Sequence, residues 1–131
     1  MKTSRRVIQL LLASCFISIA AGAVLAQEIQ KPYEPTEGQP GKDVVWVPTA
    51  QALADKMLNL AIVTPQDYVI DLGSGDGRIV IAAAKRGARA LGIEYDPNLV
   101  ALSKRNAAKE GVSDKAQFVQ ADLFESDFSQ A

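Results

Sequence analysis

The sequence contains no histidine, and its single cysteine, Cys15, lies in an apolar N-terminal stretch. Without histidine, the chain cannot carry a Ser-His-Asp triad, a histidine general base or a zinc site of the usual kinds. Beyond residue 15 there is also no thiol nucleophile, no disulfide and no cysteine-based metal site. We therefore expect no bound metal.

The chain also lacks an excess of positive charge. It has 14 lysines and arginines against 15 aspartates and glutamates. Three of the basic residues precede the apolar stretch, so residues 27–131 hold 11 basic and 15 acidic residues, a net charge of −4. Because nucleic-acid binding depends largely on neutralising phosphates, we expect no nucleic-acid partner.

The N-terminus has the pattern of an export signal. Basic residues precede an almost wholly apolar run over residues 7–26, and Val24 and Ala26 stand at positions −3 and −1 of a cleavage site before Gln27. The run is also long enough to remain as a membrane anchor. We therefore expect residues 1–26 to be a signal peptide or an anchor, with the protein exported to the periplasm or associated with a membrane.

Residues 27–43 contain three prolines and two glycines among polar residues, and this composition predicts a flexible linker. The folded domain is expected over residues 44–131. Its first helix is predicted from Thr49, as N-cap, to about Leu60. Apolar residues recur there at helical spacing and predict one apolar face, made of Leu53, Ala54, Met57, Leu58 and Ala61.

Three short apolar segments then alternate with two helical ones. We predict strands over residues 68–72, 90–94 and 117–121, and helices over residues 78–86 and 97–111. This alternation predicts an α/β fold with parallel strands and right-handed crossovers, equivalent to half of a doubly wound sheet. In such sheets the ligand lies beyond the carboxyl ends of the strands.

A glycine-rich turn and an acid stand at two of those ends. The first strand runs into the turn at residues 73–77, whose three glycines permit positive φ and close approach to a ligand. Glu94 follows Gly73 by 21 residues at the end of the second strand, where a carboxylate can accept hydrogen bonds from both ribose hydroxyls. A tight corner and a solvated strand-end acid are the plainer alternatives.

The third strand also ends at an acid. Asp122 could accept a hydrogen bond from the amino group of adenine, and Leu123 and Phe124 could cover the ring. Tyr95, beside the acid of the second strand, would form a cleft wall. The alternative role for Asp122 is that of a turn acid.

The charge near the turn discriminates between nucleosides. Arg78 stands where the dinucleotide fingerprint has its third glycine. Asp71 and Asp76 flank the turn, and Glu94 and Asp122 lie nearby in the predicted fold. These carboxylates disfavour a diphosphate and favour a cationic sulfonium and ammonium, which S-adenosylmethionine carries. Asp71 also needs a partner because it ends a buried strand, whereas Asp76 could equally be a turn former or helix cap.

These residues carry a resemblance to a known family. The motif Asp71-Leu-Gly-Ser-Gly-Asp-Gly-Arg78, with Gly92-Ile-Glu94 and Gln120-Ala-Asp-Leu-Phe124, resembles class I S-adenosylmethionine-dependent methyltransferases. More narrowly, the chain is similar to the small family related to mitochondrial lysine N-methyltransferases that modify the ATP synthase c-ring protein and the adenine nucleotide carrier. That family's aromatic-Val-Pro-Thr/Ser segment is matched by Trp46–Thr49. The resemblance covers about residues 44–129.

The resemblance implies a Rossmann-like fold and an S-adenosylmethionine-dependent methyltransferase. Its acceptor would be a protein lysine, a small molecule or a lipid. The implied cofactor-binding residues are Asp71, Gly73, Ser74, Gly75, Glu94, Tyr95, Asp122 and Leu123, and Trp46–Thr49 would lie over the cofactor. No residue is singled out as catalytic.

The class has seven strands, and this chain supplies three. We therefore expect an N-terminal portion of the fold, in which the first strand is an exposed edge. The alternatives to a methyltransferase are a nucleotide- or NAD-binding Rossmann protein and a non-catalytic remnant.

Overall fold

The computed structural model describes residues 31–130, and from Tyr33 onward the chain forms one compact unit. The predicted signal or anchor lies outside the described residues. Within the described part of the chain, no helix has the length and apolar character needed to cross a membrane.

Three helices and three strands make up the unit. They are α1 (Gln51–Leu60), β1 (Tyr68–Leu72), α2 (Arg78–Lys85), β2 (Arg89–Glu94), α3 (Pro97–Lys109) and β3 (Ala116–Gln120), followed by a 3-10 turn over Leu123–Glu125. The strands pair in parallel in the order β1-β2-β3. The predicted α/β class with three parallel strands is confirmed, and the predicted limits of the strands differ from these by at most one residue.

Two predicted helix starts have different outcomes. The Asp96 side chain accepts a hydrogen bond from the Asn98 amide at 2.8 Å, and Pro97 begins α3 as predicted. The prediction of Thr49 as the cap of α1 is wrong, because Ala50 is the N-cap and makes no side-chain cap bond. The Thr49 carbonyl oxygen instead accepts a hydrogen bond from Arg78 Nη1 at 2.6 Å.

The core lies between the sheet and its helices. Helix α2 contributes five consecutive buried residues, Val80, Ile81, Ala82, Ala83 and Ala84, to a cluster that includes Leu58 of α1 and Phe118 of β3. The small alanines let this helix approach its neighbours closely. The predicted apolar face of α1 is only half buried, because Ala54 and Leu58 lie inside whereas Leu53 and Met57 are 53% and 46% exposed.

One edge of β1 has no strand beside it in the described part of the chain, because β1 pairs only with β2. The expectation of an exposed first strand is confirmed. Leu72, at the carboxyl end of β1, is accordingly 42% exposed.

Residues 36–46, hereafter the 36–46 loop, are hydrogen-bonded although their composition suggested a flexible linker up to residue 43. The Gly38 amide donates to the Trp46 carbonyl and the Trp46 amide to the Gln39 carbonyl, both at 2.9 Å. Pro40 and Val45 form an antiparallel bridge. Prolines and glycines favour tight turns as well as flexible chain, and here they build a turn.

The turn after β1 rests on Gly92 of β2. A Cβ built on Gly92 would lie 2.4 Å from Ser74 Oγ and 2.7 Å from Phe118 Cδ1. The missing side chain therefore makes the space in which Ser74 packs over the sheet.

Replacing Gly92 with alanine is expected to lower the free energy of unfolding by about 1–3 kcal/mol, because the added methyl group overpacks this contact. Urea unfolding followed by circular dichroism measures the change. In a Ser74→Gly background the same substitution should cost less, since the nearer of the two contacts is gone. Equal costs in the two backgrounds would contradict the packing argument.

Candidate functional site

A cavity of about 480 Å³ lies at the carboxyl ends of the strands, within the size range of small-molecule sites. Its walls come from the turn after β1, the end of β2, the segment after β3 and the 36–46 loop. All eight residues predicted to bind a cofactor line it, namely Asp71, Gly73, Ser74, Gly75, Glu94, Tyr95, Asp122 and Leu123. Within residues 31–130, no three metal-ligating side chains converge.

The turn after β1 adopts a conformation that requires glycine. Gly73, Gly75 and Gly77 have φ angles of 81°, 54° and 85°, which other residues rarely adopt. A Cβ on Gly75 would lie 2.8 Å from Trp46 Nε1. The indole of Trp46 therefore packs directly on the turn, and the predicted aromatic segment does form a wall of the cavity.

The amide groups of this turn are directed to protein acceptors. The Gly73 and Ser74 amides both donate to the Ile93 carbonyl, at 2.8 and 3.0 Å. The Gly75 amide donates to Glu94 Oε2 at 2.9 Å, and the Gly77 amide to the Ser74 carbonyl at 2.9 Å. A phosphate-binding turn needs free N–H groups aimed at the anion, and these four are already engaged.

Glu94 is held at both carboxylate oxygens. Oε2 accepts from the Gly75 amide, and Oε1 accepts from the Asp96 amide, each at 2.9 Å. A carboxylate oxygen can accept two hydrogen bonds, so each oxygen retains capacity for one more donor. The side chain is therefore fixed in position at the strand end and can still accept from two neighbouring hydroxyl groups.

Asp71 is a half-buried carboxylate that receives no hydrogen bond from any group in the described chain. Burial, and secondarily the charge of Glu94, raise the pKa of Asp71 above its ordinary value. The partner that the sequence required is thus not supplied by residues 31–130. A cationic group in the cavity would relieve the cost of this buried charge.

Ser74 presents a second unsatisfied group. Its side chain is buried, with 6% exposure, and Oγ has no hydrogen-bond partner in the described part of the chain. A buried hydroxyl without a partner costs about 1–3 kcal/mol. Together, Asp71 and Ser74 leave one anionic acceptor and one hydroxyl available beside the turn.

Asp76 has the plainer of its two predicted roles. It forms an ion pair with Arg78, with 2.5 Å between Oδ2 and Nη2 and 3.0 Å between Oδ1 and Nε. Because Arg78 also reaches the Thr49 carbonyl, the pair joins the turn to the residues before α1. Sequence reasoning treated Arg78 only as a departure from the dinucleotide pattern and missed this contact.

Asp122 is engaged on both sides. Oδ1 accepts from the Phe124 amide at 3.0 Å, and Oδ2 accepts from the ammonium of Lys42. The Lys42 contact is the main cause that lowers the pKa of Asp122. The ammonium also lies 5.1 Å from the centre of the Tyr95 ring. Sequence reasoning missed Lys42, which lies in the segment predicted to be a flexible linker.

The Asp71 carboxylate is expected to destabilise the folded protein at neutral pH. A raised pKa in the folded state means that the cost is absent below the ordinary value of about 3.9 and complete above the raised value. Asp71→Asn should therefore increase the free energy of unfolding at pH 7 by about 1 kcal/mol and have little effect near pH 3. Denaturant unfolding at both pH values measures this.

The matched control is Asp114→Asn, which removes an exposed carboxylate outside the cavity. It should leave the free energy of unfolding nearly unchanged at both pH values. A destabilising effect of Asp71→Asn at pH 7 would contradict the assignment of an unpartnered charge.

Comparison with known proteins agrees with this geometry. Residues 71–131 match the family model of the ANTKMT methyltransferase domain. A protein-lysine N-methyltransferase of Saccharolobus islandicus is 40% identical over 90 residues, covering 67% of this chain and 56% of the relative. The lysine N-methyltransferase of Homo sapiens that is named for the ATP synthase c-ring protein is 53% identical over 62 residues, covering 47% of this chain and 27% of the relative. The chain thus spans about half or less of these relatives.

Solved structures share the fold. An RNA methyltransferase from Salinibacter ruber, in complex with S-adenosyl-L-homocysteine, is 55% identical with a TM-score of 0.63, covering 65% of this chain and 56% of that one. A geranyl diphosphate methyltransferase in complex with SAM is 25% identical with a TM-score of 0.53, covering 60% and 32%. This chain belongs to the class I S-adenosylmethionine-dependent methyltransferases, and its residues from 71 onward match the ANTKMT methyltransferase domain.

Proposed function

We propose that the protein binds S-adenosylmethionine in the cavity at the strand ends and transfers its methyl group to a lysine side chain of a protein. The observation that carries this proposal is the charge of the cavity. Its described lining has six carboxylates, on Asp43, Asp71, Asp76, Glu94, Asp96 and Asp122, against two cations, on Lys42 and Arg78. This field favours a cationic ligand.

The described residues fit the cofactor. Asp71, which lacks a protein partner, would bind the ammonium group of the methionine part, and the Ser74 hydroxyl beside it is free to bond a polar atom. Glu94 would accept the ribose hydroxyls with its two remaining acceptor positions. Asp122 would accept from the adenine amino group, and Trp46 would close the cavity over the turn.

The chemistry asks for positioning rather than acid-base catalysis. When bound, S-adenosylmethionine supplies a methyl group on a sulfonium, whose sulfur leaves as a neutral thioether. The protein's contribution is therefore to fix the donor and align the acceptor amine, which must be deprotonated. A site without histidine is compatible with this requirement.

The choice of lysine as acceptor rests on the relatives and on charge. Two of the matched relatives are lysine N-methyltransferases, whereas the Salinibacter ruber protein is an RNA methyltransferase. The acceptor therefore varies among proteins that share this cofactor-binding part. A net charge of −4 over residues 27–131 and an acidic cavity favour an ammonium over a phosphate backbone. A small-molecule amine is the second candidate.

We further infer from the sequence of residues 1–26 that the protein is exported or held at a membrane. Expression of the whole chain, cell fractionation and intact-mass measurement test this. Export with cleavage predicts a periplasmic product that begins at Gln27, and an anchor predicts the full-length mass in the membrane fraction. A full-length product in the cytoplasmic fraction would contradict both.

Removing the Glu94 carboxylate is expected to weaken cofactor binding. Each charge-assisted hydrogen bond contributes about 1.5–3 kcal/mol, so Glu94→Ala should weaken binding of S-adenosylhomocysteine at least about tenfold. Isothermal titration calorimetry measures the affinity, and circular dichroism checks that the variant is folded. Asp114→Asn serves as the control and should bind like the parent chain. Equal affinity in parent and Glu94→Ala would rule out the ribose-binding role.

Methyl transfer is tested with labelled S-adenosylmethionine and two acceptors, a lysine-rich protein and total RNA. We expect label on the protein and none on the RNA. Blocking the protein's amines by acetylation beforehand should abolish the label. Label on RNA, or label on protein that survives acetylation, would contradict a lysine acceptor.

A further inference from the structure

Lys42 stands at the end of the cavity that the proposed function assigns to the nucleobase. Its ammonium donates to Asp122 Oδ2, lies 5.1 Å from the centre of the Tyr95 ring and is 3.7 Å from Asp43 Oδ2. Asp122 and Tyr95 are the groups expected to bind the amino group and to flank the ring of adenine. The ammonium thus occupies the position that an adenine would need.

The 36–46 loop holds Lys42 in this position. Two hydrogen bonds between Trp46 and residues 38 and 39 close its base, and the Gly41 amide donates to the Val44 carbonyl at 3.0 Å near its tip. Gln39 Nε2 also donates to the Tyr33 hydroxyl at 2.6 Å. The backbone of Lys42 is therefore fixed at the tip of the loop, while its four-carbon side chain can swing away from Asp122.

We propose that Lys42 is an internal occupant of the nucleobase site, which binds Asp122 in the unliganded protein and leaves when an adenosyl ligand enters. This inference rests on the proposed function, because it identifies the ligand that replaces the ammonium. Oδ1 of Asp122 is already bonded to the Phe124 amide. The amino group of adenine must therefore take the place of the ammonium at Oδ2, and its ring must take the place of the ammonium beside Tyr95.

Such an occupant reduces the apparent affinity for the ligand. The affinity falls by the fraction of molecules in which the site is free. The pair is only partly screened, since the side chains of Lys42 and Asp122 are 36% and 17% exposed. Ion pairs of this kind are weak, so the reduction should be modest, about three- to tenfold. In the empty cavity, the ammonium also offsets part of the repulsion among the carboxylates.

Calorimetric titration of S-adenosylhomocysteine against the whole chain and three variants tests the proposal. Lys42→Gln should bind about three to ten times more tightly than the parent chain. Lys42→Arg, which keeps the ion pair, should bind about as tightly as the parent. Lys56→Gln removes the same charge from the exposed face of α1 and should change nothing. Equal or weaker binding by Lys42→Gln would overturn the proposal, and weaker binding would mean that Lys42 holds the ligand instead.

A double-mutant cycle without ligand gives an independent readout. Lys42→Gln and Asp122→Asn should be coupled in their effects on the free energy of unfolding, and the coupling should vanish when S-adenosylhomocysteine saturates the protein. Coupling that persists in the complex would overturn the displacement. Binding by the parent without gain in Lys42→Gln contradicts only the role of Lys42. Absence of binding in every form contradicts the proposed function itself, and with it this inference.

Discussion

The hydrogen bond from the Gly75 amide to the Glu94 carboxylate joins the two parts on which the site depends. It ties the turn after β1 to the end of β2, and the Gly73 and Ser74 amides strengthen that link through the Ile93 carbonyl. The same bonds consume the N–H groups that a phosphate would require. What remains beside the turn is the negative charge of Asp71 and the open acceptor positions of Glu94, so the geometry of the turn itself selects a cationic nucleoside.

Packing below the turn makes this arrangement possible. Gly92 has no side chain, so Ser74 can settle on β2 and bring the turn within reach of the Glu94 carboxylate. The alanines of α2 allow the helix that follows the turn to lie close to its neighbours. A loss of space at Gly92 would therefore disturb the site through the fold, although this residue does not line the cavity.

The sequence predicted what depends on local pattern. Apolar periodicity located the strands and helices, and the spacing from Gly73 to Glu94 brought two parts of one cavity together because parallel strands end at the same edge of a sheet. It did not predict that Leu53 and Met57 are exposed, since periodicity shows an apolar face and not what covers it. It also missed the contact from Lys42 to Asp122, because the two residues lie 80 positions apart and composition suggested a flexible segment around Lys42.

The central claim is that the strand-end cavity takes a cationic adenosyl ligand and rejects a diphosphate. Competition calorimetry with S-adenosylmethionine and NAD on the same protein preparation tests it most directly. The account predicts saturable binding of S-adenosylmethionine that NAD in large excess does not displace. Binding of NAD, with displacement of S-adenosylmethionine, would show that the turn accepts a diphosphate and would contradict the account.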